Sequence, residues 1–208
     1  MSDHPFTDRP RLLGDPQART ARRAQLHQPH ITPLTAFVEA LRDETGQGAN
    51  IAYFDPWDGG VDAEVLYLLE APGPQAVVFG FISRNNPDES AKNFFELNAE
   101  AKIPRKRTVT WNVVPWYIGD GSSIRVAKHI DLARGIRRLP RLIPLLPKLR
   151  AVVFVGRKAE HARETVARLI HDIKTFYCPH PSPQCLNTVP ANRQRILDVL
   201  REVATLIS

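Results

Sequence analysis

The sequence predicts a three-layer α/β/α domain built on a mainly parallel four-stranded central sheet. Short apolar runs at 65–69, 108–113, 151–155 and 175–178 are each bounded by turn residues, and continuous apolar runs of this length belong to strands buried on both faces. Apolar residues at helical spacing fill the gaps between them, the alternation expected of a parallel sheet covered by helices. A chain of 208 residues, 43% apolar and 24% charged, can bury the core of one large domain. Eighteen prolines and eleven glycines suit tight loops and exclude a coiled coil or a collagen repeat.

In chain order, residues 1–30 are polar and basic (Arg9, Arg11, Arg19, Arg22, Arg23), with a short helix at 16–28. They read as a basic N-terminal arm that is loosely packed and solvated, or that touches nucleic acid. Residues 31–208 read as a single globular domain. Leu34, Phe37, Val38 and Leu41 fall on one face of a helix over 33–42, with Thr32 as its N-cap. Further helices are predicted at 90–101, 126–139, 158–173 and 192–206. The run 76–82 fits either a strand or an apolar loop, 142–149 is a proline-containing helix end on the core, and 55–60 is a turn.

The formal net charge of +6 favours a polyanionic partner, because lysines and arginines release counterions when they neutralise phosphates. Cys178 and Cys185 alone cannot build a disulfide framework or a four-cysteine site. Adding His27, His30 and His180 gives irregular spacing without an evident fourth ligand, so no metal is expected. No apolar run reaches eighteen residues and no leader-like stretch opens the chain, so a reducing, cytoplasmic location is expected.

In an open parallel sheet the ligand sits beyond the carboxyl ends of the strands. The first predicted strand runs into Leu69-Glu70-Ala71-Pro72-Gly73-Pro74, a carboxylate in a rigid turn where Gly73 permits close backbone approach. The second carries Trp111-Asn112-Val113-Val114-Pro115-Trp116, an amide flanked by aromatics. After the third, Gly156-Arg157-Lys158 opens a helix whose N-terminus suits an anion. The fourth delivers His180-Pro181-Ser182-Pro183, an imidazole between prolines.

This set resembles the uracil-DNA glycosylase superfamily. Leu69-Glu70-Ala71-Pro72-Gly73 is similar to its first motif in the form found in the iron–sulfur glycosylases, and His180-Pro181-Ser182-Pro183 is similar to its second. Asn112 stands where the family keeps a base-reading asparagine, and Asn93-Phe94-Phe95 resembles the Asn-Arg-Phe stretch of the mismatch-specific branch. The likeness spans about 65–187. It departs in lacking the cluster-binding cysteines, so no iron–sulfur cluster is expected. It departs again in placing Gln184 where the best-known branch has a leucine that wedges into the duplex, with Leu186 two residues later.

The resemblance implies hydrolysis of the N-glycosidic bond of a deaminated base in DNA by a monofunctional enzyme that leaves an abasic site, acts without a cofactor and works as a monomer on single- or double-stranded substrate. Asn112 would then read uracil, accepting from N3–H and donating to O4. Cytosine reverses both partners, at about 1–3 kcal/mol for each buried unpaired group. Glu70 would position or deprotonate water and stabilise the cationic sugar, and His180 would donate to base O2 as negative charge gathers there. Phe81 is expected to stack on the base, with Trp57 and Trp116 as competitors. Ala71 and Gly73 would touch the base, and Ser182, Gln184, Leu186, Arg157 and Lys158 the DNA. Asp55 is a reserve candidate for activating water. Each of these side chains also has a plain structural reading, as a cap, a turn former or a solvated charge. A binding module that captures damaged or abasic DNA without turnover is the rival from another class.

Overall fold

The computed structural model describes residues 6–46, 48–120 and 123–208. Along the chain run α1 (Pro16–Arg23), α2 (Thr32–Thr45), β1 (Tyr53–Phe54), β2 (Val65–Leu69), α3 (Pro74–Phe79), β3 (Phe81–Ile82), α4 (Glu89–Glu100) and β4 (Thr108–Asn112). They are followed by α5 (His129–Ile136), α6 (Leu139–Leu142), β5 (Ala151–Val155), α7 (Arg163–Leu169), β6 (Lys174–Cys178), α8 (Pro183–Thr188) and α9 (Ala191–Ile207).

The four predicted strands form one sheet in the order β4-β2-β5-β6, with every neighbouring pair parallel. Period-two alternation sends Leu66, Leu68, Trp111, Val152 and Phe154 into a core closed by α2, α5, α6 and α7. Val65, Tyr67, Val153 and Val155 enter a second core closed by α4 and α9. Two cores on two faces explain why the strands read as unbroken apolar runs. Local chemistry starts several helices: Asp15 accepts from the Gln17 and Ala18 N–H groups (2.8 and 3.4 Å) ahead of Pro16, and Asp88 accepts from Ala91 N–H (2.9 Å). Among the described residues, no helix is long and apolar enough to cross a membrane.

Several expectations need correction. Residues 6–30 are not a loose arm. Leu13 and Leu26 pack with Phe81, Leu12 and Ala18 pack with Trp57, and Arg22 is only 1% exposed. Thr32 lies inside α2, its hydroxyl bonded to Gln28 O (2.9 Å), and Ile31 holds the cap position. The undecided run 76–82 divides into the end of α3 and the two-residue β3, which pairs in parallel with β1 outside the main sheet. The helix predicted at 126–139 begins only at His129, because 125–128 are extended. The one predicted at 158–173 is replaced by a 3-10 turn, Ala159–Ala162, leading into the short α7.

Candidate active site

Because β2, β4, β5 and β6 are parallel and in register, their carboxyl ends share one edge, where a cavity of about 610 Å³ opens. Glu70, Asn112 and His180, each at or just past a different strand end, all line it.

Glu70 follows β2. Its carbonyl accepts from Val114 N–H (2.9 Å), which extends the β2–β4 pairing past the strand end and fixes its backbone. Its side-chain Oε1 accepts from Ala127 N–H at 2.6 Å, so the extended segment 125–128 holds one carboxylate oxygen. That segment is itself anchored, since Asp131 takes two hydrogen bonds from Arg125 (2.6 and 3.0 Å) and one from Lys128 N–H (2.8 Å).

Asn112 is the last residue of β4, opposite Leu69 in register, and is 2% exposed. Alternation turns Trp111 away from the cavity, where it stacks on Phe54 with ring centroids 4.0 Å apart. It leaves Thr110 and Asn112 on the cavity side. The Asn112 Nδ2 has no hydrogen-bond partner, a deficit of about 1–3 kcal/mol for a buried donor.

His180 is positioned by three neighbours. Ser182 N–H donates to His180 Nδ1 (3.2 Å), and because a backbone N–H can only donate, the neutral ring carries its proton on Nε2. Burial pushes the imidazole pKa down to about 4, so the ring is neutral at physiological pH. Asn93 Nδ2 donates to Pro181 O (2.9 Å), tying the loop to α4. Gly156, at φ 88°, lies against the ring: a Cβ there would sit 3.4 Å from His180 Cβ in a backbone conformation that L-residues rarely adopt.

Ala71, Gly73, Ser182 and Gln184 also line the cavity. Gly73 has an ordinary φ of −73°, and a Cβ on it would meet nothing within 4 Å, so it leaves open space rather than relieving strain. Ser182 caps α8, accepting from Cys185 N–H (3.4 Å).

Other expected site residues lie elsewhere. Phe81 is fully buried in the cluster with Leu13 and Leu26, so it is not free to stack on a ligand. Trp57 lies under the Arg22 guanidinium (3.6 Å) and Trp116 near that of Arg134 (5.4 Å), both outside the cavity. The aromatic side chain on the cavity wall is Phe94, in edge contact with Tyr67 at 4.8 Å. Leu186 packs half-buried against the core instead of projecting as a wedge. Arg157 and Lys158 lie outside the cavity, and the turn they precede is 3-10, which offers no α-helical N-terminus there.

Asp55 is also corrected. It is fully buried and accepts from Arg22, Ser83 Oγ, Arg105 Nη2 (2.6 Å) and Trp57 N–H (2.9 Å). Burial alone would raise its pKa, but Arg22 and Arg105 outweigh it and hold the carboxyl well below the usual range. A carboxylate so fully committed cannot serve as a base. Arg105 continues the network to Asp58 (2.8 Å), as does Arg84 (3.3 Å). The sequence offers no periodic signal for this network, which joins opposite charges far apart in the chain. Among the described residues, no group of three or more His, Cys, Asp or Glu side chains could hold a metal ion.

Comparison with known proteins adds to this geometry. The family model for the uracil DNA glycosylase superfamily matches residues 4–203. A search of curated proteins finds no significant match. Among solved structures, wild-type SMUG2 of Pedobacter heparinus is similar in fold, with a TM-score of 0.52 at 12% identity over 87% of this chain and 86% of that one. A solution structure from Methanosarcina acetivorans, provisionally described as a uracil DNA glycosylase, gives a TM-score of 0.48 at 19% identity, covering 69% of this chain and 92% of that one. Mimivirus uracil-DNA glycosylase gives 0.41 at 14%, covering 88% and 79%.

Proposed function

The chain belongs to the uracil DNA glycosylase superfamily, whose members are DNA glycosylases, and from that premise we propose that it hydrolyses the N-glycosidic bond of uracil in DNA and leaves an abasic site. One observation carries this reading: Glu70, Asn112 and His180, from three separate strand ends, line a single cavity in which the Asn112 Nδ2 is buried and unpartnered.

A base stacked in a duplex is out of reach, so it is turned out of the helix at a cost of a few kcal/mol and enters the cavity. Uracil O4 then accepts from Asn112 Nδ2, and uracil N3–H donates to Asn112 Oδ1. As the bond from the sugar carbon to N1 breaks, its electron pair moves onto the base and the sugar becomes cationic. The neutral His180, with its proton on Nε2, donates to base O2, where the negative charge collects. The Glu70 oxygen not held by Ala127 orients water toward the sugar carbon and takes the proton released as the new C–O bond forms. Phe94 supplies apolar wall for the base, and Ser182 and Gln184 meet the strand at the rim. Neither a metal nor a nucleotide takes part, and no lysine nucleophile supports a lyase step. The net charge of +6 favours the phosphate backbone as partner.

Incubation with a uracil-containing oligonucleotide in EDTA, followed by alkali, tests the proposal. Cleavage at the uracil position is expected; gel retardation without cleavage would show capture without turnover.

A further inference from the structure

Uracil does not use all that the cavity wall offers. With His180 on O2 and Asn112 on O4 and N3–H, its polar edges are exhausted. Yet Arg84, Asn86 and Thr110 also line the cavity, are buried, and each has a polar atom without a hydrogen-bond partner: Arg84 Nε, Asn86 Oδ1 and Thr110 Oγ1. Two of the three have a settled polarity. Asn86 Nδ2 donates to Phe81 O (2.8 Å), so its oxygen is the end left over and acts as an acceptor. Arg84 uses Nη2 on Asp58 (3.3 Å) and Thr108 Oγ1 (2.8 Å), leaving the Nε–H donor. Thr110 precedes Asn112 by two residues on the same strand face, so its hydroxyl lies beside the uracil-reading amide. Buried polar groups are ordinarily paired, and several unpaired ones along one wall mark a ligand with more edges than uracil has.

Resting on the glycosylase reading above, we infer that Arg84, Asn86 and Thr110 form a second base-reading edge, and that the cavity also accepts a deaminated purine, of which hypoxanthine is the simplest. The donors and acceptors match. The wall presents three N–H donors, on His180 Nε2, Asn112 Nδ2 and Arg84 Nε, and hypoxanthine has three acceptors, N3, O6 and N7. Purine N3 stands next to the glycosidic nitrogen's ring carbon as O2 does in uracil, so His180 keeps its role toward the leaving base. The N1–H donor of hypoxanthine finds an acceptor in the Asn86 or Asn112 oxygen. Adenine has an amino donor in place of O6 and lacks the N1 proton, so it leaves a protein donor and acceptor unpaired.

The test measures single-turnover excision from three matched single-stranded oligonucleotides carrying uracil, hypoxanthine or adenine. The wild-type protein is expected to release uracil and hypoxanthine and to leave adenine. Release of uracil alone would overturn the second edge while leaving the glycosylase reading intact. Equal release of adenine would overturn recognition through these groups, and release of no base would overturn the reading beneath. Asn86→Ala and, as the near-isosteric variant, Thr110→Val should each lower the ratio of hypoxanthine to uracil excision at least tenfold. A ratio unchanged in both would show that these residues do not read the base.

Discussion

Two polar regions lie side by side in this molecule and differ in how their hydrogen-bonding capacity is spent. Around Asp55, four donors converge on one buried carboxylate, from Arg22, Ser83, Arg105 and the Trp57 backbone. Along the cavity wall, Arg84, Asn86, Thr110 and Asn112 each keep a buried polar atom without a partner. Arg84 belongs to both, with one nitrogen bound to Asp58 and another unpaired. A satisfied network fixes the packing of residues 6–30, the 55–58 turn and the start of β4; an unsatisfied wall lowers stability and gives a ligand something to bind.

That contrast can be broken from either side. The largest effect is expected at Asp55, where Asp55→Ala strands Arg22 and Arg105 as buried charges at a cost of about 3–5 kcal/mol. In a chain of this size that is roughly a 10 °C fall in Tm by calorimetry; a fall under about 3 °C would mean that the network does little for the fold. On the cavity side, Glu70→Gln and His180→Ala should each slow single-turnover uracil excision about a hundredfold or more, the scale of losing one preorganised electrostatic group. Their Tm should stay within about 2 °C of wild type, and full rate in either variant would remove that residue from the mechanism. Asn112→Asp should weaken uracil excision about tenfold and admit cytosine, because a carboxylate accepts from the cytosine amino group. Unchanged uracil activity would assign base reading to another side chain.

The smallest effect concerns pH. His180 is held near pKa 4, below its ordinary value of 6.5, because burial disfavours the imidazolium. Between those values the unfolded chain binds a proton that the folded chain does not, so stability is lost as pH falls from about 6.5 toward 4. Urea unfolding should show part of that loss absent in His180→Gln, and an NMR titration should find the ring neutral at pH 6. A His180 midpoint near 6.5 would contradict the buried, neutral donor.

The main sheet was legible in the sequence because strands buried on both faces leave unbroken apolar runs, and β2 and β5 occupy the predicted residues. The strand-end turns were legible because Glu70, Asn112 and His180 lie within short motifs. What escaped depends on contacts between distant segments. The two-residue strands β1 and β3 exist only through their mutual pairing. Phe81 is an apolar residue in the sequence whether it covers a ligand or fills the core, and only Leu13 and Leu26 packing on it decide for the core. Segment 125–128 carries helical spacing into a region where Ala127 is instead drawn onto Glu70. Arg84 and Asn86 belong to no motif, and their unpaired atoms become visible only once their partners in the fold are known.

The central claim is that an extruded uracil lies against the buried Asn112 amide. It is tested most directly by following the Asn112 side-chain NH₂ resonances of ¹⁵N-labelled Glu70→Gln protein as a uracil-containing single strand is added. Those signals should move, and a matched strand carrying cytosine should leave them near their free positions. If the uracil strand binds while the Asn112 resonances stay still, the base is held elsewhere and the site assigned here is wrong.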